Sequence, residues 1–317
     1  MNIEIEQGRI HWLDTARGIA ILLVILGHCI GTLEDPGNKL VLSFHMPLFF
    51  FISGFCAGRL KAFPAYLIKK AKVFLIPTIT LGVLDTLTDI ISNQFVKDNL
   101  VNNFLGWFLL VLFYVSILFY IVQKLGFEKK NWVRLLTFII DIIIIFSVNK
   151  LHITTLLHIE IIPMALLFFL IGYQCKISCI TLAERKSIRS DIWILLIPFV
   201  IVCSTYNTSV TMYLNDYGNI LLFFICAFSG IIVICKIAKG LEDNKLIIWI
   251  GQNTIYFYVL HFAFIKGLHF IGKSIFPELT SSNYSYPIYW IYFWICIVLL
   301  IPVVMLCKRW FSILFGK

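Results

Sequence analysis

Charge is what this chain has least of. Only 14% of its 317 residues are Asp, Glu, Lys or Arg, while 60% are hydrophobic. About a quarter of an ordinary soluble chain is charged. The shortage excludes a water-soluble globule, which has no means of hiding so much apolar surface. No polar stretch interrupts the apolar runs for long enough to form a separate soluble domain, and there is no internal repeat or low-complexity tract. The short acidic segment from Met1 to Gly8 leads into an apolar run with no small-residue cleavage site, so that run is expected to remain as a helix. The nine cysteines are scattered. Cys175 and Cys179 lie close together but have no second pair or nearby histidine, so no zinc pattern exists and no metal is expected.

What the chain has in abundance is apolar runs of membrane-crossing length. Ten spans are expected, centred near residues 21, 49, 82, 112, 140, 164, 199, 226, 258 and 297. The fold class is therefore all-α, a polytopic integral membrane protein, with residues 1–317 read as a single transmembrane domain. The net charge of +9 reports topology and not a nucleic-acid partner. Of the 26 Lys and Arg, only Lys39, Lys97, Lys150, Lys266 and Lys273 fall on outer segments if the N-terminus is cytoplasmic, leaving 21 inside. The inner set includes Arg59, Lys61, Lys129, Lys130, Arg134, Arg185, Lys186 and Arg189. By the positive-inside rule both termini are cytoplasmic. The longest outer loop is expected to run from Lys266 to Pro287. Sequons at Asn207 and Asn283 lie on predicted outer loops.

Two ionisable residues stand on the first apolar run. Arg17 and His28 are eleven positions apart, which returns both to within about 20° of one helix face. They sit roughly 16 Å apart along the axis, near opposite ends of a spanning helix. Polar groups at membrane depth are costly and mark sites. His45 opens the second span and His261 lies well along the ninth, so topology brings three imidazoles to the outer half of the membrane. Imidazole takes and returns a proton near neutral pH. At the inner end Arg17 can snorkel to lipid phosphate or bind an anion, and Asp14 is placed to hold it in an i, i+3 pair. Lys69, Lys70 and Lys72 lie on the same side, where topology explains them and phosphate binding is a second use. Among the acids inside spans, Asp85, Asp89 and Asp141 read first as partners for groups on neighbouring helices. Glu160, beside His158 and just before Pro163, is a candidate cavity-lining residue.

Together these motifs resemble a known family. Arg17-x10-His28, Phe44-His-Met-Pro-Leu-Phe-Phe-Phe-Ile-Ser-Gly54 and the basic cluster before Leu75-Ile-Pro77 are similar to the acyltransferase family 3 membrane proteins. The run Trp12-Leu-Asp-Thr-Ala-Arg-Gly18 resembles the fucose 4-O-acetylase-like branch, and Trp107-Phe-Leu and Gly251-Gln-Asn-Thr-Ile-Tyr with His261 resemble later landmarks. The resemblance covers essentially the whole chain. It implies a ten-helix enzyme of the cell membrane, in a bacterium the inner membrane. Such an enzyme moves an acyl group, usually acetyl, from cytoplasmic acyl-CoA (acetyl-CoA) to a hydroxyl of an extracytoplasmic or lipid-linked glycan. It implies that His28 is the essential histidine and Arg17 its partner; from its place at the same depth, His45 is expected to orient His28 or polarise the thioester carbonyl. Lys69 and Lys72 stand where the family usually has arginines, a departure that removes the planar fork of guanidinium. Glu160, Trp107, Tyr258 and His261 are candidate acceptor-binding residues. The alternative from another class is a multi-pass glycolipid or polysaccharide transporter with the histidines as a proton relay. Oligomeric state is open.

Overall fold

The computed structural model describes residues 10–58, 60, 62–92, 106–177, 192–275 and 286–317. Arg59, Lys61, Lys97, Cys179, Arg185, Lys186, Arg189 and Asn283 lie outside the described residues. Most of the described chain is helical, and among the described residues there is one isolated β-bridge, Thr211 to Asp216, and no strand. In a bilayer each backbone N–H and C=O must be paired within its own segment, which is why apolar runs become helices. The helices are α1 His11–Ile30, α2 Pro36–Leu42, α3 His45–Phe55, α4 Phe63–Ile91, α5 Trp107–Leu125, α6 Asn131–Lys150, α7 Ile162–Ile177, α8 Leu196–Tyr206, α9 Ile220–Gly240, α10 Lys245–Gln252, α11 Thr254–Ile275 and α12 Tyr286–Trp310.

Among the described residues nine helices are long and apolar enough to cross a membrane, α2 and α3 counting as one span from Pro36 to Phe55. The protein is a polytopic all-α membrane protein. The seventh expected span is shorter than anticipated, a helix from Trp193 to Tyr206. Two other expectations are corrected. Lys266 is not the start of an outer loop, since α11 runs on to Ile275. Its ammonium is neutralised by Asp85 and, at 2.6 Å, by Asp89, both on α4. The partner role read for those two acids is thus what the structure shows. Asn207 is only 4% exposed, with its amide donating to the Tyr217 carbonyl and accepting from Asn219 N–H. It is therefore a loop-building residue, and its sequon is not presented for modification.

α1 is the hub. Of its apolar window 67% is buried, against 17% for α6, and α1 packs on α3, α9, α10, α11 and α12. Two helix crossings are close enough to admit only glycine. At the α3–α7 crossing a Cβ on Gly54 would strike the Phe169 backbone and one on Gly172 the Phe51 backbone. At the inner end of α1, a Cβ on Gly18 would strike the Ile247 carbonyl and one on Gly251 that of Asp14. Helices in lipid gain little from hydrophobic association, so backbone approach over small residues carries much of the packing.

Candidate active site

α1 carries Arg17 and His28 as one unbroken helix, as their spacing predicts. His28, at the outer end, is exposed, whereas Gly27 and Cys29 on either side are buried. Its ring lies 5.2 Å from that of His261 and 5.2 Å from that of Phe262. No hydrogen bond holds the His28 imidazole among the described residues, so both of its nitrogens are uncommitted.

The two other histidines are committed. His45 Nδ1 lies 2.7 Å from the Val41 carbonyl, and His261 Nδ1 lies 2.7 Å from that of Tyr258. A carbonyl only accepts, so in each ring Nδ1 carries the proton and Nε2 keeps a lone pair. The His261 Nε2 is buried without a hydrogen-bond partner among the described residues. His28 is near enough to both rings for their charges to interact. The convergence of three imidazoles expected from topology is therefore present. The local reason is helix geometry, which sets each imidazole against a carbonyl three or four residues back.

An aromatic wall continues the chamber. Trp107 meets Phe108 at 6.0 Å, Phe108 meets Tyr258 at 5.4 Å and Tyr258 meets His261 at 5.9 Å. Trp107 and Tyr258 thus join the imidazoles through ring contacts. Glu160 has no ring or hydrogen-bond link to this chain of groups. It sits instead in an outer cluster with Thr155, His158 and Tyr217.

The inner end of α1 differs in chemistry. Arg17 Nη1 lies 3.2 Å from Asp14 Oδ1, and Gln252 donates to the other Asp14 oxygen at 3.4 Å. The chain breaks at Asn253, whose side chain donates to the Trp249 carbonyl. α10 therefore lies across the inner end of α1 before α11 begins. The Gly251-Gln-Asn landmark, read from sequence as part of a continuous ninth span, is in fact this corner. Sequence reasoning also missed Cys56 and Lys176. Cys56 is accessible, and the charges of Arg17, Lys176 and Asp14 all reach it. Removal from bulk water pushes its thiol up, against the pull of the two cations, and Asp14 adds to the rise. Lys176 donates to the Ala57 carbonyl at 2.7 Å. No pattern within one segment signals this set, because α1 contributes Asp14 and Arg17, the C-cap of α3 contributes Cys56 and α7 contributes Lys176.

The lysine cluster lies on α4. Lys70 folds back over the Tyr66 and Phe74 rings, at 5.5 and 5.3 Å. Lys69 and Lys72 are exposed, and no described contact links any of the three with the guanidinium. Between Arg17 and His28 the shared face is closed in this state. Ile21 is 0% and Val24 4% exposed. Two accessible ends flank a packed middle. No group of His, Cys, Asp or Glu able to hold a metal ion occurs among the described residues.

A family model described as an acyltransferase domain matches residues 10–309. Proteins of Staphylococcus aureus strains MSSA476, MW2 and N315, each named probable poly-beta-1,6-N-acetyl-D-glucosamine export protein, are 26% identical to this chain over 306 residues. The alignments cover 83% of this chain and 84% of theirs. No solved structure matches.

Proposed function

The chain belongs to the acyltransferase-domain family, and from that premise we propose that it transfers an acyl group from cytoplasmic acyl-CoA, acetyl-CoA foremost, to a hydroxyl of an extracytoplasmic or lipid-linked glycan. One observation carries the reading. An exposed imidazole with no hydrogen-bond partner among the described residues stands at the outer end of the same helix face that bears a half-exposed guanidinium at its inner end. Arg17 and Lys176 supply positive charge for the phosphates of the donor, since charge-assisted hydrogen bonds to phosphate are the strong ones. The pantetheine arm follows the α1 face outward for roughly 16 Å, the rise of eleven helical residues. Ile21 and Val24 must give way to it.

At the outer end His28 accepts the proton of the acceptor hydroxyl as that oxygen attacks the thioester carbon. A C–O bond forms, the C–S bond breaks, and the coenzyme thiolate takes the proton back from the imidazolium. The orphan Nε2 of His261 faces no donor of its own and is available to receive the second N–H of that imidazolium. His261 is then a positioning residue that stabilises the charged form. The aromatic wall of Trp107, Phe108 and Tyr258 offers faces on which a sugar ring packs, and His45 supplies a further lone pair. The setting implied is a cell membrane, the inner membrane in a bacterium.

A second reading rests on the name of the S. aureus relatives, which are called export proteins. In it the imidazoles relay protons for polysaccharide movement. Purified protein in liposomes, given labelled acyl-CoA and an N-acetylglucosamine oligosaccharide, decides between the two. Acyl-CoA-dependent labelling of the sugar supports transfer. Passage of the sugar across the bilayer without acyl-CoA consumption supports export and overturns the acyltransferase reading.

A further inference from the structure

We infer that the outer face carries a hydroxyl-binding site for sugar, built from His158, Glu160 and Tyr217 and separate from the imidazole chamber. Glu160 is 5% exposed. Thr155 donates to its Oε2 at 2.5 Å, while Oε1 has only His158 Nδ1 near it, at 3.9 Å. That separation is too long for a direct hydrogen bond. It suits a hydroxyl oxygen resting against both atoms, about 2.8 Å from each. The His158 Nδ1 is buried and has no hydrogen-bond partner among the described residues. Tyr217 is 1% exposed, and its hydroxyl is likewise buried without a partner, close enough to Glu160 to feel its charge. Three neighbouring side chains thus leave a carboxylate oxygen, an imidazole nitrogen and a hydroxyl unused in a largely buried place that His158 opens to the surface. Buried orphans of this kind are costly, and native structures hold few of them.

The chemistry selects the ligand. A carboxylate oxygen needs a hydrogen-bond donor, an imidazole nitrogen takes either role, and the carboxylate repels phosphate or carboxylate groups. Sugar hydroxyls donate and accept at once: one donates to Glu160 with its oxygen against His158, and a second accepts from Tyr217. His158 is held at φ 53°, a left-handed conformation unusual for a residue with a side chain, which is how its ring comes to face the carboxylate. The site also lies on the outer side that His28 opens to. The segment from Asn207 to Asn219 holds Tyr217 through the Asn207 amide, ties to the Ile153 carbonyl through Asn215, and reaches the Leu33 carbonyl and Glu34 through Ser209. Leu33 and Glu34 follow α1 directly. A glycan gripped here extends along one folded loop towards the chamber. This rests on the glycan acceptor proposed above, yet it concerns holding the chain and not the transfer itself.

Tyr217→Phe gives a clean test, because it deletes an oxygen that no protein group uses. Full-length protein in nanodiscs is titrated with the N-acetylglucosamine oligosaccharide, with Tm measured alongside. The expected result is binding by the native protein, weakened about tenfold by Tyr217→Phe at unchanged or raised Tm, and weakened at least as much by Glu160→Gln. Equal binding by native protein and Tyr217→Phe overturns the site, as does absence of binding by the native protein. Acyl transfer is followed in the same samples. Binding that depends on Tyr217 without any transfer leaves the site standing and removes the acyltransferase reading. Transfer with binding indifferent to Tyr217 does the reverse.

Discussion

The two ends of α1 are built for opposite tasks. At the outer end the His28 ring meets those of His261 and Phe262, and Lys266, which lies over the Phe262 ring, is neutralised by Asp85 and Asp89. At the inner end Arg17, Lys176 and Asp14 gather around an accessible thiol, and Gln252 shares the aspartate. A charge-poor chamber suits proton transfer, since the imidazoles are not pinned by ion pairs. A charge-rich vestibule suits anchoring a polyanion. One helix joins them, and its glycine contact with α10 sets where the inner charges stand.

The sharpest way to break the contrast is His28→Ala. Acyl transfer should fall by roughly 10²–10⁴-fold, the usual contribution of a general base, with Tm held, as followed by labelled acyl-CoA. A folded variant transferring at the native rate ends the acyltransferase account. Next comes Gly172→Leu, which drives a side chain into the Phe51 backbone. A loss of about 1–3 kcal/mol is expected from such overpacking, read as a lower Tm in detergent.

Arg17→Ala should raise KM for acyl-CoA roughly 10- to 100-fold with a smaller change in kcat, since hydrogen bonds to charged groups are worth about 1.5–3 kcal/mol. Lys176→Ala should raise it less, and Lys69→Ala or Lys72→Ala by no more than about twofold, as befits exposed charges. If the two exposed lysines matter more than Lys176, the vestibule drawn here is the wrong one. The smallest effect concerns Cys56. Burial raises its thiol, so alkylation at neutral pH should be slower than that of a free thiol and speed up as pH rises. Arg17→Ala, which removes a cation that lowers it, should slow labelling further, and acyl-CoA should protect the thiol.

Much of this was readable beforehand, for definable reasons. The Arg17–His28 stripe follows from helix periodicity within one segment, and the Asp14–Arg17 pair from i, i+3 spacing. That His45 and His261 would reach the depth of His28 follows from counting spans. That Lys70 lies over the Tyr66 and Phe74 rings follows from i, i+4 spacing within α4. The break at Asn253 was written in the polar stretch Gly251-Gln-Asn-Thr254, but the apolar runs beyond it on either side let it pass as one span. Lys176 and Cys56 gave no signal at all.

Local rules thus account for what the chain determines alone: helices, spans, orientation and the face shared by Arg17 and His28, each set by backbone pairing in lipid and a 100° turn per residue. Only tertiary packing decided which groups meet. Gly54, Gly172, Gly18 and Gly251 fix helix approaches between positions more than a hundred residues apart in each pair. Those approaches place His261 beside His28, and Lys176 in reach of the thiol that Arg17 also influences. Contacts between distant segments depend on rotation and depth of whole helices, quantities that no single stretch of sequence encodes.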